Sequence, residues 1–456
     1  MPFFIRSKRK KEQGVNNKSK KGEKGLGPKT KNRKYEEEDD EEIDSDLEDD
    51  DPKLDNKYTY SSESEVEESA QEKRLRLAHK YLEEVEKEEK RRLETEEVDK
   101  DVIAQRLKED FLEQTGRLRK TVADSYTGHG EFVSLHCKAH SRSITCFVLS
   151  SDNKYLYSSS EDCNIVKWSL EERKKLNVIN RTDVNGHKKK ILALAISTDS
   201  KFFVSGDNAG KLNVWNPADL SLIHAFNGHK IDITGLAFRK DTHQLFSCSS
   251  DKTVKIWNLD EMMYVETLFG HLSGVTAIDA LVKDRAITSG GWDNSVRIWK
   301  VPEESHLILN GHKESIDCVK LLNEEFFISG DEGGNVCLWN SQKKKPLFTL
   351  QKAHGMSSES NIPNWINSIA TYLYSDVFAS GSYNGTINLY KLNEKLRTFE
   401  KFMEINLDGN INCLTFTSDG QYLIAGVGRE HRLGRWHTRK SIKNRIVLIP
   451  LEKKSR

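Results

Sequence analysis

The chain has no C-x-x-C pair; its seven cysteines (Cys137, Cys146, Cys163, Cys248, Cys318, Cys337, Cys413) are odd in number and mostly lie inside apolar strings. This spacing gives no sign of a disulfide framework or a zinc ribbon, and the chain reads as a reduced, intracellular protein. No stretch reaches the roughly eighteen apolar residues of a membrane span. The opening MPFFIRSKRKK lacks an apolar core of signal-peptide length. Neither G-x-x-x-x-G-K-S/T nor G-x-S-x-G occurs, so there is no motif for a phosphate-cradling loop or a nucleophile elbow. His136, Cys137 and His140 come nearest to a metal set, but no fourth ligand follows at zinc-like spacing. With no convergent acid–base pair visible, no catalysis, cofactor, metal or small-molecule substrate is expected.

Net charge is also missing, with 71 Lys+Arg against 71 Asp+Glu in 456 residues. The balance hides opposed blocks. Residues 1–34 hold 13 Lys/Arg and 2 Glu, whereas residues 35–69 hold 18 Asp/Glu and 2 Lys. So polar a segment cannot bury enough apolar surface to offset its ordering entropy, and 1–69 is expected to be a disordered tail. Its first cluster (Lys8, Arg9, Lys10, Lys11, then Lys18, Lys20, Lys21) has the form of a nuclear-localisation signal, or is simply a solvated tail. The acidic tract either binds basic proteins or keeps the tail soluble. Ser45, Ser62 and Ser64 each precede an acid by three residues, the form of an acidophilic kinase site.

Residues 70–121 read as a helical segment. SAQE (69–72) has the form of a capping box, and Leu75, Ala78, Leu82 and Val85 recur at helical spacing, as do Ile103, Leu107 and Phe111. Such stripes must dock on the following domain or on a partner.

From 131 to 456 the sequence repeats. His140, His187, His229, His271 and His312 precede Trp168, Trp215, Trp257, Trp299 and Trp339 by 28, 28, 28, 28 and 27 residues. Two short apolar or alternating strings lie between each His and Trp. A third ends at the Trp and a fourth precedes the next His. Four short strands per repeat of about forty residues predicts an all-β, WD-type β-propeller. The His can hydrogen-bond an Asp in the turn before the Trp strand, and Asp162, Asp251 and Asp293 stand six residues before their Trp. Blades two and five have Ala209 and Gly333 at that place, with Asp207 and Asp331 two residues earlier. Those blades either lack the network or reach it by another turn. Two degenerate repeats follow, with Tyr390 and Ile449 at the Trp place, which makes seven blades. EFVSLH (131–136) is expected to fill the outer edge of the last blade, so that N- and C-terminal strands close the ring.

One segment departs from the repeat. REHRLGRWHTRKSIKNR (429–445) separates the second and third strands of the last blade and carries Arg429, Arg432, Arg435, Arg439, Lys440, Lys443 and Arg445, with His431, Trp436 and His437 among them. Guanidinium groups grip phosphate, and aromatic rings stack on unpaired bases. Two readings stand: these residues bind structured RNA, or Arg432 and Arg435 pair with propeller carboxylates while Trp436 fills a gap between blades. Lys188, Lys189 and Lys190, entering blade two, are a second candidate contact or a solvated turn.

AQEKRLRLAHKYLEE (70–84), DKDVIAQRLKEDFLEQTGRL (99–118), GLAFRKDTHQL (235–245), YVETLFGH (264–271) and AGVGREHRLGRW (425–436) together resemble the WD-repeat protein family specific to the U3 small nucleolar ribonucleoprotein. The helical strings and EHRLGRW carry most weight, because a propeller does not demand them. The resemblance implies a non-catalytic subunit that binds the box B/C region of U3 small nucleolar RNA. It would do so beside a kink-turn-binding protein, in the small-subunit processome acting on pre-18S ribosomal RNA. It also implies a nuclear, nucleolar protein that has no membrane partner. The alternative class is a protein-binding WD adaptor of another nuclear complex.

Overall fold

The computed structural model describes residues 119–454 apart from 358–360, 394, 435–437 and 440–441, and, before these, residues 73–77, 79–81, 83, 87, 104, 106–108 and 110–112. The tail expected to be disordered (1–69) lies outside the described residues, as do Ala78, Leu82, Val85 and Ile103 of the helical stripes. The chain divides into two units, Met1–Leu75 and Arg76–Arg456. In the first, the described residues 73–75 are helical. In the second, the described residues between 76 and 87 and between 104 and 112 are helical, and Tyr81 Oη donates to Asp110 Oδ2 at 3.3 Å.

The repeats fold into seven antiparallel sheets. The first strand of each touches the first strand of the next: Ile144–Leu149, Ile191–Ile196, Ile233–Phe238, Val275–Ala280, Ile316–Leu321, Ile366–Thr371 and Asn410–Phe416, then back to the start. This is a closed seven-bladed propeller whose inner strands surround a channel. Its core is the set of interfaces between blades, where Ile, Leu, Val and Phe of adjoining sheets are buried. Close approach fixes some glycines. A Cβ on Gly206 would lie 2.7 Å from Cγ2 of Ile233 in the next blade, and one on Gly381 would lie 2.5 Å from Cγ2 of Ile411.

Buried polar networks tie the six His-bearing blades together. His187 Nε2 meets Ser205 Oγ at 2.7 Å, and Trp215 Nε1 donates to the same hydroxyl at 2.8 Å. Ser247, Thr288 and Ser329 do this for blades three to five. The fourth member is the Asp; of the two readings left open for blades two and five the second holds, and the expectation for blade one needs correcting. Asp207 and Asp331 do reach His187 and His312, at 3.0 and 2.8 Å, from their earlier position. Blade one, which looked regular, lacks the link. Asp162 instead accepts from Ser141 Oγ and the Arg142 amide, and His140 Nδ1 has no partner among the described residues.

The last sheet closes the ring. Its third strand, Arg445–Lys453, pairs with Tyr422–Gly428 on one side and with two upstream strands on the other. Val133–Leu135 lies against Ile446–Leu448, where an outer strand was expected. Tyr126–His129 lies against Leu451–Lys453, upstream of the boundary at 131 that repeat spacing suggests.

Candidate nucleic-acid interface

The insertion leaves the last blade on the side of the His-bearing turns. Glu430 N donates to Ser143 Oγ at 3.0 Å, and Asn444 Nδ2 donates to Ser141 O at 2.9 Å. Both ends of the loop are thus held against the turn that follows His140. Arg429 clamps the two legs together: its amide donates to Asn444 Oδ1 at 2.9 Å, and its Nε donates to the Ile442 carbonyl. Arg439 N returns to Arg429 O at 3.1 Å, and Arg439 Nη1 reaches Asn384 O in blade six at 3.2 Å.

Arg432 turns inward. Its Nη2 donates to the main-chain carbonyl of Asp317, 3.1 Å away in blade five, and the side chain lines the channel. Burial pushes up the thiols of Cys146, Cys248, Cys318 and Cys413, and in each the positive charge of Arg432 pulls the other way. Cys146, Cys318 and Cys413 belong to the inner strands of blades one, five and seven, and Cys248 to the second strand of blade three, which places the guanidinium between opposite sides of the ring. His431 is buried beside it, lowered to about 3 first by burial and then by Arg432, with its ring perpendicular to Trp365 at 6.4 Å. The geometry therefore gives Arg432 and a neutral His431 to the frame. Arg445 opens the closing strand opposite Val427. Lys443 is exposed. Arg435, Trp436, His437 and Lys440 lie outside the described residues.

The lysine triplet splits in the same way. Lys188 Nζ donates to the carbonyls of Arg181 and Asp183, both at 3.0 Å. Lys190 pairs with the buried Glu161 at 2.6 Å. Lys189 is exposed, with no partner among the described residues.

The ring gathers cations that no run in the sequence displays. Asn164 Nδ2 donates to Ala139 O at 2.8 Å and Asn164 Oδ1 accepts from Arg181 N at 2.9 Å, joining the turns of blades one and two. Lys138, Arg142 and Arg181 on these turns are exposed. Arg142 faces Asp162 at 3.8 Å. Lys443, Lys138, Arg142, Arg181 and Lys189 thus mark an arc over blades seven, one and two. A search for charge runs misses three of the five; comparing the charge of successive His-bearing turns would find them.

Comparison with known proteins matches this architecture. The WD domain, G-beta repeat model fits residues 125–169, 179–216, 220–258, 263–300 and 303–340. The mouse U3 small nucleolar RNA-interacting protein 2 is 47% identical over 395 residues, covering 85% of this chain and 83% of the relative. The chain belongs to the U3 small nucleolar RNA-interacting protein 2 family. Budding-yeast ribosomal RNA-processing protein 9 is 27% identical, over 87% of this chain and 92% of that protein. A solved structure titled "Structure of U3-55K" is 44% identical with a TM-score of 0.69, covering 70% of this chain and 98% of the solved one. The U3 small nucleolar RNA-interacting protein 2 family is thus similar to this chain through the propeller and into the segment before it.

Proposed function

We propose that this chain is a non-catalytic subunit of the U3 small nucleolar ribonucleoprotein. It binds the box B/C region of U3 RNA beside a kink-turn-binding protein, in the nucleolar small-subunit processome that processes pre-18S RNA. The names of the relatives support the particle and the pathway. The observation that carries RNA contact is the arc of exposed cations shared by the insertion and the turns of blades one and two. Cations spread over adjoining turns suit a folded RNA backbone better than a single charged peptide.

The test is binding of U3 RNA as a function of salt. Each phosphate neutralised contributes about 0.7–0.9 to the log–log slope. Combined Arg181→Ala, Lys189→Ala and Lys443→Ala substitution lowers affinity and flattens that slope by roughly two units. Unchanged affinity and slope would remove the arc from the site. The adaptor reading predicts instead that all partners persist after nuclease treatment.

A further inference from the structure

A cavity of about 780 Å³ opens at the channel mouth, between the turns of blades two to five and the insertion. Asp232, Asp317 and Glu332 line it, and so do Lys189, Lys190 and Arg432. Half of these groups are already engaged. Lys190 is paired with Glu161 at 2.6 Å, Arg432 donates to a main-chain carbonyl, and Asp232 accepts from Ser250 Oγ at 2.9 Å. Asp317 differs: it is 5% exposed, and its carboxylate accepts no hydrogen bond and enters no ion pair among the described residues. Burial raises it to about 7, with Arg432 opposing and Glu332 and Asp331 adding to the rise. Glu332 is raised too, by burial and then by Glu314 and Asp331. These are carboxylates short of counter-charge. Trp292, 78% exposed, lines the same cavity with Leu433 and Val275.

We propose that this mouth receives a basic side chain, arginine or lysine, projected by an extended segment of a partner protein. Asp317 and Glu332 supply the charge, Trp292 offers its ring face to the cation, and Leu433 covers the aliphatic stem. A phosphate backbone would meet these carboxylates with like charge. Lys189 of the cationic arc stands at the edge of this mouth, but Asp317, Glu332 and Trp292 belong to the mouth and not to the arc.

The experiment uses the full chain and bead-bound pools of short peptides, with degenerate flanks around a fixed Arg, Lys or Gln. Retention on the Arg or Lys pool exceeds that on the Gln pool by about tenfold or more, and the stronger of the two names the side chain. Glu332→Gln and Trp292→Ala, both at the open rim, each reduce retention by roughly fivefold, whereas Lys443→Ala leaves it unchanged. Equal retention on the Gln pool, or indifference to both rim variants, overturns the proposal. Displacement by a single-stranded RNA oligonucleotide also overturns it and assigns the mouth to RNA. U3 RNA binding by the same rim variants is measured in parallel, so that loss of the arc and loss of the mouth are read separately.

Discussion

Histidine takes two opposite roles in this ring, and neighbours decide which. His140, His354 and His431 are buried and lowered to about 4, 3 and 3, burial being the first cause in each. Burial acts on His312 in the same direction and is the largest single cause, but the hydrogen bonds and charges of Asp331 and Cys337 together outweigh it and raise the group to about 9. The two kinds shape stability differently. A depressed histidine binds its proton more readily unfolded, so its contribution is complete above its ordinary value of 6.5 and shrinks as pH falls toward the folded value. The His312 contribution is complete below 6.5 and fades only as pH rises toward 9. Acidification from 7 to 5 therefore withdraws stability, on the order of 2 kcal/mol for each depressed histidine by pH 5. Melting temperature measured across this range should fall. His140→Gln should flatten the fall, since His140 Nδ1 has no partner to lose and only the bond to Ser158 Oγ at 2.7 Å is given up.

At the scale of elements, the insertion is better seen as a braced arm than as a loose basic loop. Arg432 bonds to blade five and Arg439 to blade six, while Asn444 and Glu430 hold blade one. Arg432→Met keeps much of the apolar stem and removes the bond to the Asp317 carbonyl. It should leave the propeller folded yet raise proteolytic cleavage within 429–445 by about tenfold, which timed digestion and peptide mapping would show. Lys443→Ala, which removes an exposed side chain, should not. Repeat spacing made the blades legible in the sequence, because each His and Trp is local to its own sheet. The fate of Arg432 was not legible, since its partner is 115 residues away and only ring closure brings them together. The same holds for Lys190, whose charge is taken up by Glu161 of the preceding blade. In blade one, Asp162 has the right spacing but turns to Ser141, a choice of side-chain direction that spacing does not encode. Asp207 and Asp331 follow the second of the two readings their spacing left open: from two residues earlier they still deliver the carboxylate to the histidine.

At the scale of the whole molecule, stability rests on how the ring is shut. Repeat matching puts the start of the propeller at 131, yet the chain is anchored from 119 onward. Asp376, 1% exposed in blade six, accepts from the amides of Val122 and Ala123 at 2.7 and 3.1 Å. Tyr126 Oη donates to Gly420 O at 2.9 Å, and Tyr126–His129 pairs with the far half of the final strand. Val133–Leu135 covers only the near half. A chain beginning at 131 would keep that short strand but expose the edge of Leu451–Lys453 and strand the Asp376 carboxylate without its two donors. Losing hydrogen bonds to a buried charged group costs about 1–3 kcal/mol, before any cost of the lost strand. Because the termini meet in one blade, the damage should spread to blades six and seven together. A chain beginning at 131 should therefore melt below one beginning at 119, and amide exchange should rise first in 377–382 and 445–453. Asp376→Asn in the full chain should reproduce part of that shift. Equal melting of the two truncations would mean that Val133–Leu135 alone holds the ring, and that the upstream anchor contributes nothing to its closure.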